Sequence, residues 1–254
     1  KINMKIKLLL LISLFSISIL SADEFVESST TWGGYGELHW DMENEVMDFH
    51  RFILFLGHTW NDKWSLKSEI ELEHNMVGGS YGGYLELEQA YVNYNNENWN
   101  AGIGAILAPV GIINITHEPP TFLSVERPDY HAYIIPTTWF DNGMFVNYSM
   151  GDFNFGLAMM ADLDGRDAIV SDADKSGYDG KYAMKHLRGK GDRTTTHDLT
   201  KILTFAYTGV DGLKIGASIT MNDMPATYDA EDNVTSSIAL DLTEMNVQYN
   251  KNNI

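Results

Sequence analysis

The 254-residue chain has no cysteine, which excludes disulfide frameworks and thiolate metal sites together. Proline is scarce, and four of the six, Pro119, Pro120, Pro128 and Pro136, fall in one stretch. The rest of the chain is therefore free to form unbroken ladders. Basic residues are few: 17 Lys and Arg stand against 35 Asp and Glu, a formal net charge of −18. That argues against a nucleic-acid partner, which needs a basic footprint. After residue 22 no apolar run approaches the roughly 20 residues of a helical span. No GxSxG, Walker or dinucleotide fingerprint occurs, so spacing supports neither an enzyme nor a cofactor.

The first residues read as an address. Met4-Lys5-Ile6-Lys7 is a basic start, residues 8–20 form an apolar core broken only by serines, and Ser21-Ala22 precedes Asp23-Glu24. Residues 1–22 fit a cleaved signal peptide better than an anchor. Its removal leaves 14 basic against 35 acidic residues, a formal net of −21. Residues 23–254 then form one β domain of an exported protein.

Apolar and polar residues alternate through about ten segments: 33–42, 48–60, 63–74, 84–95, 98–107, 138–150, 152–162, 199–209, 213–222 and 236–249. This is the period of a strand with one apolar face. Phe52 to Leu56 is apolar on both faces. The last segment changes phase near Thr243 and Glu244, where Ile238, Leu240 and Leu242 give way to Met245, Val247 and Tyr249, as a β-bulge would cause.

The connections alternate in length. Tight turns at 61–62, 96–97, 151 and 210–212 alternate with longer links at 43–47, 75–83, 108–137, 164–198 and 223–235. Short turns at one end and long loops at the other are the habit of an outer-membrane barrel. Trp60, Trp64, Tyr94, Trp99, Tyr148, Phe153 and Tyr207 all lie beside the short turns, as an interfacial girdle would. The expected fold class is all-β, an antiparallel transmembrane β-barrel whose apolar face meets lipid and whose polar face meets a watery lumen.

The stretch 108–137 breaks the alternation. It is stiff, aromatic and charged, and irregular backbone of this kind is tolerated at membrane depth only where it lines a cavity. An inward-folded constriction loop is expected, with His117, Glu118, Pro119, Pro120, Glu126, Arg127 and Asp129 as its polar and stiff residues.

At these residues a family resemblance becomes visible. It is carried in order by Gly33-Gly34-Tyr35-Gly36-Glu37-Leu38-His39, Asp48-Phe49-His50-Arg51-Phe52, Ser68-Glu69-Ile70-Glu71-Leu72-Glu73-His74 and Leu85-Glu86-Leu87-Glu88-Gln89-Ala90-Tyr91. Pro109-Val110-Gly111, Thr116-His117-Glu118-Pro119-Pro120-Thr121-Phe122 and Val125-Glu126-Arg127-Pro128 follow. Together they resemble the porins grouped with the phosphate-selective porins O and P. The resemblance implies a barrel of about sixteen strands in the outer membrane, a homotrimer, with the third loop folded into the lumen. Ten strands and the ending Tyr249-Asn250-Lys251-Asn252-Asn253-Ile254 then imply a fragment of such a barrel. Phosphate selectivity needs a basic lining, and Arg51, Arg127, Arg166, Arg188 and Arg193 form no ladder.

The candidate pore-lining residues are acidic. Glu69, Glu71 and Glu73 share one face of a strand, as do Glu86 and Glu88 on the next, and lipid would penalise them. Such a wall favours cations, and Lys67 and Arg51 are candidate partners within it. A rigid structural ion-pair network fits the same residues. Of the eight histidines, His74 follows Glu73, and His39 lies two residues from Glu37 and Asp41, but no HExxH-like spacing assigns a metal site. The stretches 162–167 and 172–177 resemble calcium loops without the closing glutamate of an EF-hand. The expectation is a passive diffusion channel for small hydrophilic solutes or ions, cation-preferring rather than phosphate-selective. A substrate- or metal-ion-specific channel or receptor and a structural or adhesive barrel are the other readings.

Overall fold

The computed structural model describes residues 27–78, 82–122, 127–128, 135–168, 183–192 and 194–251. Residues 1–22, read as a signal peptide, lie outside that set. Ten strands follow in order: β1 (Ser29–Asp41), β2 (Val46–Thr59), β3 (Trp64–Glu73), β4 (Leu85–Asn95), β5 (Trp99–Leu107), β6 (Phe140–Met150), β7 (Phe153–Met160), β8 (Thr200–Val210), β9 (Leu213–Tyr228) and β10 (Val234–Tyr249). They form one ten-stranded antiparallel sheet in which each strand pairs with its neighbours in sequence. The sheet is open, with β1 and β10 as its edges. Among the described residues no helix is long and apolar enough to cross a membrane.

Side-chain alternation divides the sheet into two faces. On the outer face Trp32, Trp40, Phe52, Leu87, Ile103, Met144, Phe155, Leu203, Ile219 and Val247 are all exposed. Exposed apolar residues on nearly every strand exceed what a water-soluble surface carries and suit a lipid solvent. Phe52-Ile53-Leu54-Phe55-Leu56 is resolved by this division: Phe52 and Leu56 are exposed outside while Ile53 is buried inside. At the short-turn end, Trp64 meets Tyr94 at 5.0 Å, Trp99 meets Tyr148 at 4.5 Å and Phe153 meets Tyr207 at 5.2 Å between ring centroids.

The connections differ from expectation at both ends of the sheet. The β1–β2 link shrinks to residues 42–45, no longer than the 60–63 turn at the opposite end, and the β9–β10 link to 229–233, because β9 runs on to Tyr228. Long links are therefore confined to the middle of the sheet, at 74–84, 108–139 and 161–199.

The phase change in β10 is not a bulge. Pairing runs unbroken through Thr243↔Ile219 and Glu244↔Ser218, and the register shifts lie at Val234/Ser236 and Ser236/Ser237. The apolar residues change faces because their surroundings change. Ile238, Leu240 and Leu242 point inward against a covered core, whereas Met245, Val247 and Tyr249 point outward and are exposed. True bulges occur where none was read: His50 is the extra residue opposite Glu37/Leu38, and Glu88 the extra residue opposite Glu69/Ile70.

The described residues of the segment 108–139 lie against the inner face. Ala108, Val110, Ile135 and Trp139 are buried with Ile106 of β5, Met160 of β7, Ile202 of β8 and Met224 of β9. Leu163 and Leu187 of the 161–199 link close the same core. Gly111 has φ +68°, and its position near the Glu244 side chain of β10 shows that the tip reaches from β5 to the far end of the sheet. On the wall behind it Gly102 leaves room for the edge-on contact of Tyr91 and Phe145, since a Cβ there would meet the Phe145 ring at 2.6 Å.

Candidate functional site

Asn114, fully buried, fixes the root of the segment. Its amide donates to the carbonyls of Ala108 (2.8 Å) and Trp139 (2.9 Å), and its Oδ1 accepts from the Trp139 N–H at 2.8 Å. A backbone bond from Ala108 N–H to the Trp139 carbonyl, 2.9 Å, completes the clamp.

Three residues on, His117 enters the acidic wall. Its Nδ1 donates to the Asn114 carbonyl at 3.0 Å. Its Nε2 faces three carboxylates: Glu88 at 3.0 Å, Glu118 at 3.3 Å and Glu69 at 3.4 Å. A carbonyl only accepts and carboxylates attract a proton, so both ring nitrogens carry hydrogen. Burial by itself favours the neutral ring, but the hydrogen bonds and charges of Glu69 and Glu88 outweigh it and push the His117 pKa up to about 10. Glu118 is pushed up to about 8, first by burial and then by the Glu69 carboxylate beside it.

The remaining contacts extend the network. Glu88 accepts from the Thr138 hydroxyl at 2.9 Å, Glu69 from the Gln89 amide, and Glu118 from the Tyr35 hydroxyl. Arg51 pairs with Glu37 (2.8 Å) and Glu71 (3.1 Å). Arg127 bonds Thr137 at 2.5 Å and the His117 carbonyl at 3.2 Å. From the other long link, Lys190 reaches Glu86 at 2.5 Å and Arg188 bonds the Thr138 carbonyl.

The expected pore-lining residues thus meet different fates. Glu69, Glu71 and Glu88 do share a wall, but they are buried, at 1%, 5% and 1% exposure, rather than bathed by a lumen. The β4 bulge puts Glu88 and its neighbour Gln89, rather than Gln89 alone, opposite β3. Glu86 is paired by Lys190, a partner that no local pattern singles out. Glu73 is half-buried and makes no ion pair among the described residues. Arg51 joins the wall; Lys67 is exposed and lines a cavity instead. Of the constriction residues, His117, Glu118 and Arg127 converge on the wall, Pro119 and Pro120 open a single helical turn, Pro119–Thr121, and Glu126 and Asp129 lie outside the described residues.

The calcium-loop resemblance at 162–167 has another explanation. Asp162 is buried and accepts from the N–H groups of His197 (2.5 Å) and Leu199 (2.7 Å) and from the Asn222 amide (2.9 Å). Asp164 is paired with Arg166. Asp162 thus ties the two ends of the 161–199 link to β9, and the Asp164–Arg166 pair lies within the link. The stretch 172–177 lies outside the described residues.

Toward the short turns the inner face is open. A cavity of about 580 Å³ lies beside Pro109 and Ile115, walled by Lys67, Gln89, Asn100 and Asn147. A second, of about 170 Å³, lies across the same tip beside Lys214, Glu244 and Asn246. Asn93, Asn100 and Asn147 form a rung across β4, β5 and β6, with bonds of 2.7 and 3.2 Å.

An apolar outer face, an inner face that is polar on β1–β4 and largely apolar beneath the inward segment on β5–β10, and that segment itself define the wall of an outer-membrane β-barrel. The family model of the phosphate-selective porins O and P matches residues 33–239, and the chain belongs to that family, whose members reside in the bacterial outer membrane. An uncharacterized protein of Aquifex aeolicus (strain VF5) is 34% identical over 202 residues, which cover 76% of this chain and 44% of that protein. The chain thus spans less than half the length of this relative. Among solved structures, a loop-deletion mutant of OmpT, an outer membrane protein of Vibrio cholerae, is similar at 12% identity and a TM-score of 0.39, over 88% of this chain and 77% of that one. Outer membrane phospholipase A from Escherichia coli is similar at 10% identity and a TM-score of 0.30, over 88% and 69%.

Proposed function

We propose that the protein is the wall of a non-enzymatic, passive diffusion channel for small hydrophilic solutes or ions, assembled as a homotrimer, with the segment 108–139 as its constriction. The observation that carries this reading is the tip at Pro109–Ile115, which stands between two openings of mixed polar and apolar lining on the inner face while the outer face is apolar. Further strands pairing with β1 and β10 would complete the barrel, since an open edge in lipid leaves backbone groups unsatisfied.

The proposed preference is for cations, and a weak one. The acidic wall is largely neutralised by His117, Arg51 and Lys190, so it anchors the loop more than it fills the pore with charge. The same pairing argues against phosphate selectivity, because these basic groups are already matched to carboxylates.

The test is the reversal potential of the full-length gene product in a planar bilayer under a salt gradient. A small cation-preferring potential is expected. An anion-preferring potential would return phosphate-like solutes to consideration, and no conductance from folded protein would overturn the channel reading. Deleting residues 119–135 should raise single-channel conductance, and an unchanged value would remove the segment from the constriction.

A further inference from the structure

At the long-loop end of β1, β2 and β3, three histidines meet. The His39 and His50 rings stack at 4.3 Å with an 11° interplanar angle, and His74 meets His50 edge-on at 5.2 Å. Glu37 and Asp48 stand among them: Glu37 lies 2.7 Å from His39 Nε2, and Asp48 lies 3.2 Å from His50 Nδ1 and 2.9 Å from His74 Nδ1. The β2 bulge builds the cluster, because it turns His50 inward alongside Asp48 and Arg51. His74 ends β3 with φ +54°, its N–H donating to the His50 carbonyl at 3.1 Å. Asp41, as close to His39 in sequence as Glu37 is, is not a member, because it accepts from Glu43 and Asn44 in the β1–β2 turn.

We propose that this cluster is a binding site for one divalent transition-metal ion of the zinc, cobalt or nickel class. His50 is its shared ligand. Glu37, His39 and His50 form one set of three potential ligand atoms within 4.8 Å of one another, and Asp48, His50 and His74 form another. Nitrogen–oxygen separations of 2.7–3.2 Å approach the edge of a polyhedron with bonds of about 2.1 Å, which is about 3.0–3.4 Å. A metal could therefore enter by small side-chain shifts. Each set mixes imidazole nitrogen with carboxylate oxygen, and such a shell selects borderline metals over calcium or magnesium, which favour all-oxygen shells. One carboxylate in each set, Glu37 or Asp48, offsets part of the ion's charge. His39 and His74 have side chains about two-fifths exposed, at 39% and 40%, which gives an ion access from water. The site needs the folded sheet but not conduction, so it stands or falls separately from the channel reading.

The experiment is zinc titration by calorimetry on the full chain refolded in detergent, with folding checked by circular dichroism. Saturable binding of one zinc per chain is expected. His50→Gln should weaken it at least about tenfold, in line with what loss of a metal-site group costs, and His39→Gln and His74→Gln should each weaken it if His50→Gln fails to fold. His58→Gln, at the opposite end of β2, should leave it unchanged. No saturable binding by folded wild-type protein, or equal affinity in the folded His39, His50 and His74 variants, would overturn the proposal.

Discussion

One segment of chain is held against one sheet face by two opposite chemistries. On the β1–β4 side, His117, Glu118 and Arg127 descend into carboxylates, amides and hydroxyls. On the β5–β10 side, Val110, Ile135 and Trp139 descend into methionine, isoleucine and leucine. The apolar half is the cheaper way to bury a loop, because each side chain gains on leaving water. The charged half must recover the desolvation of every ion by pairing. The charged half is therefore the conditional one: it holds only while its protonation states match.

The largest effect should come from unbalancing each half in turn. His117→Gln leaves Glu69, Glu88 and Glu118 buried without their cation and should cost about 3–5 kcal/mol of unfolding free energy. Trp139→Ala should cost a similar amount, about 3–5 kcal/mol, through the cavity it leaves. Denaturant titration of the refolded protein measures both. A His117→Gln loss under about 1 kcal/mol would mean that the carboxylates are not held by that imidazolium.

Acidity separates the halves where single substitutions do not. The His117 pKa is raised in the folded protein, so its contribution is complete below the unfolded value of about 6.5 and is lost as pH rises through about 10. Glu118 acts in the same sense: with its pKa raised to about 8, the fold favours its protonated form, and stability falls as pH climbs from the unfolded value of about 4.3 through about 8. Wild type and Trp139→Ala should therefore lose stability alike between neutral pH and pH 10, while His117→Gln loses less. Parallel curves for all three proteins would erase the distinction between the halves.

Next comes the clamp common to both halves. Asn114→Ala removes three hydrogen bonds from a site without water access and should cost about 1–3 kcal/mol. It should also broaden single-channel current, because the segment's root is loosened. A quiet channel of wild-type stability would show that the Ala108–Trp139 backbone bond suffices.

Alternation made the sheet legible, because each strand's period fixes which side chains share a face. Each of the ten strands overlaps the segment the pattern assigns to it, although β9 runs past its segment to Tyr228, and Glu69, Glu71 and Glu88 do share a side. What a period cannot state is what covers that side. Nothing near His117 announces Glu88, 29 positions away, and nothing near Lys190 announces Glu86, 104 positions away. The same blindness turned the change of face in β10 into an expected bulge, since only the core over Ile238 and Leu240 explains why inward residues there are apolar. The real bulges at His50 and Glu88 escape the pattern, because the extra residue in each is polar and is followed by another polar residue, Arg51 or Gln89.

The smallest effect should be the most informative about permeation. Lys190 and Glu86 form a pair whose side chains are 40% and 21% exposed, so water screens it and its loss should cost only about 0–1 kcal/mol. Lys190→Gln should therefore fold and insert like the wild type. It would also uncover one carboxylate at the rim of the wall, where charge acts on passing ions rather than on the loop. The reversal potential should move toward stronger cation preference at low salt and return toward the wild-type value at high salt, where the field is screened within a few ångströms. Glu86→Gln should move it the other way or leave it in place. If neither variant shifts the potential, Glu86 belongs with the buried carboxylates as an anchor, and the ion preference must be set beyond the wall these four strands form.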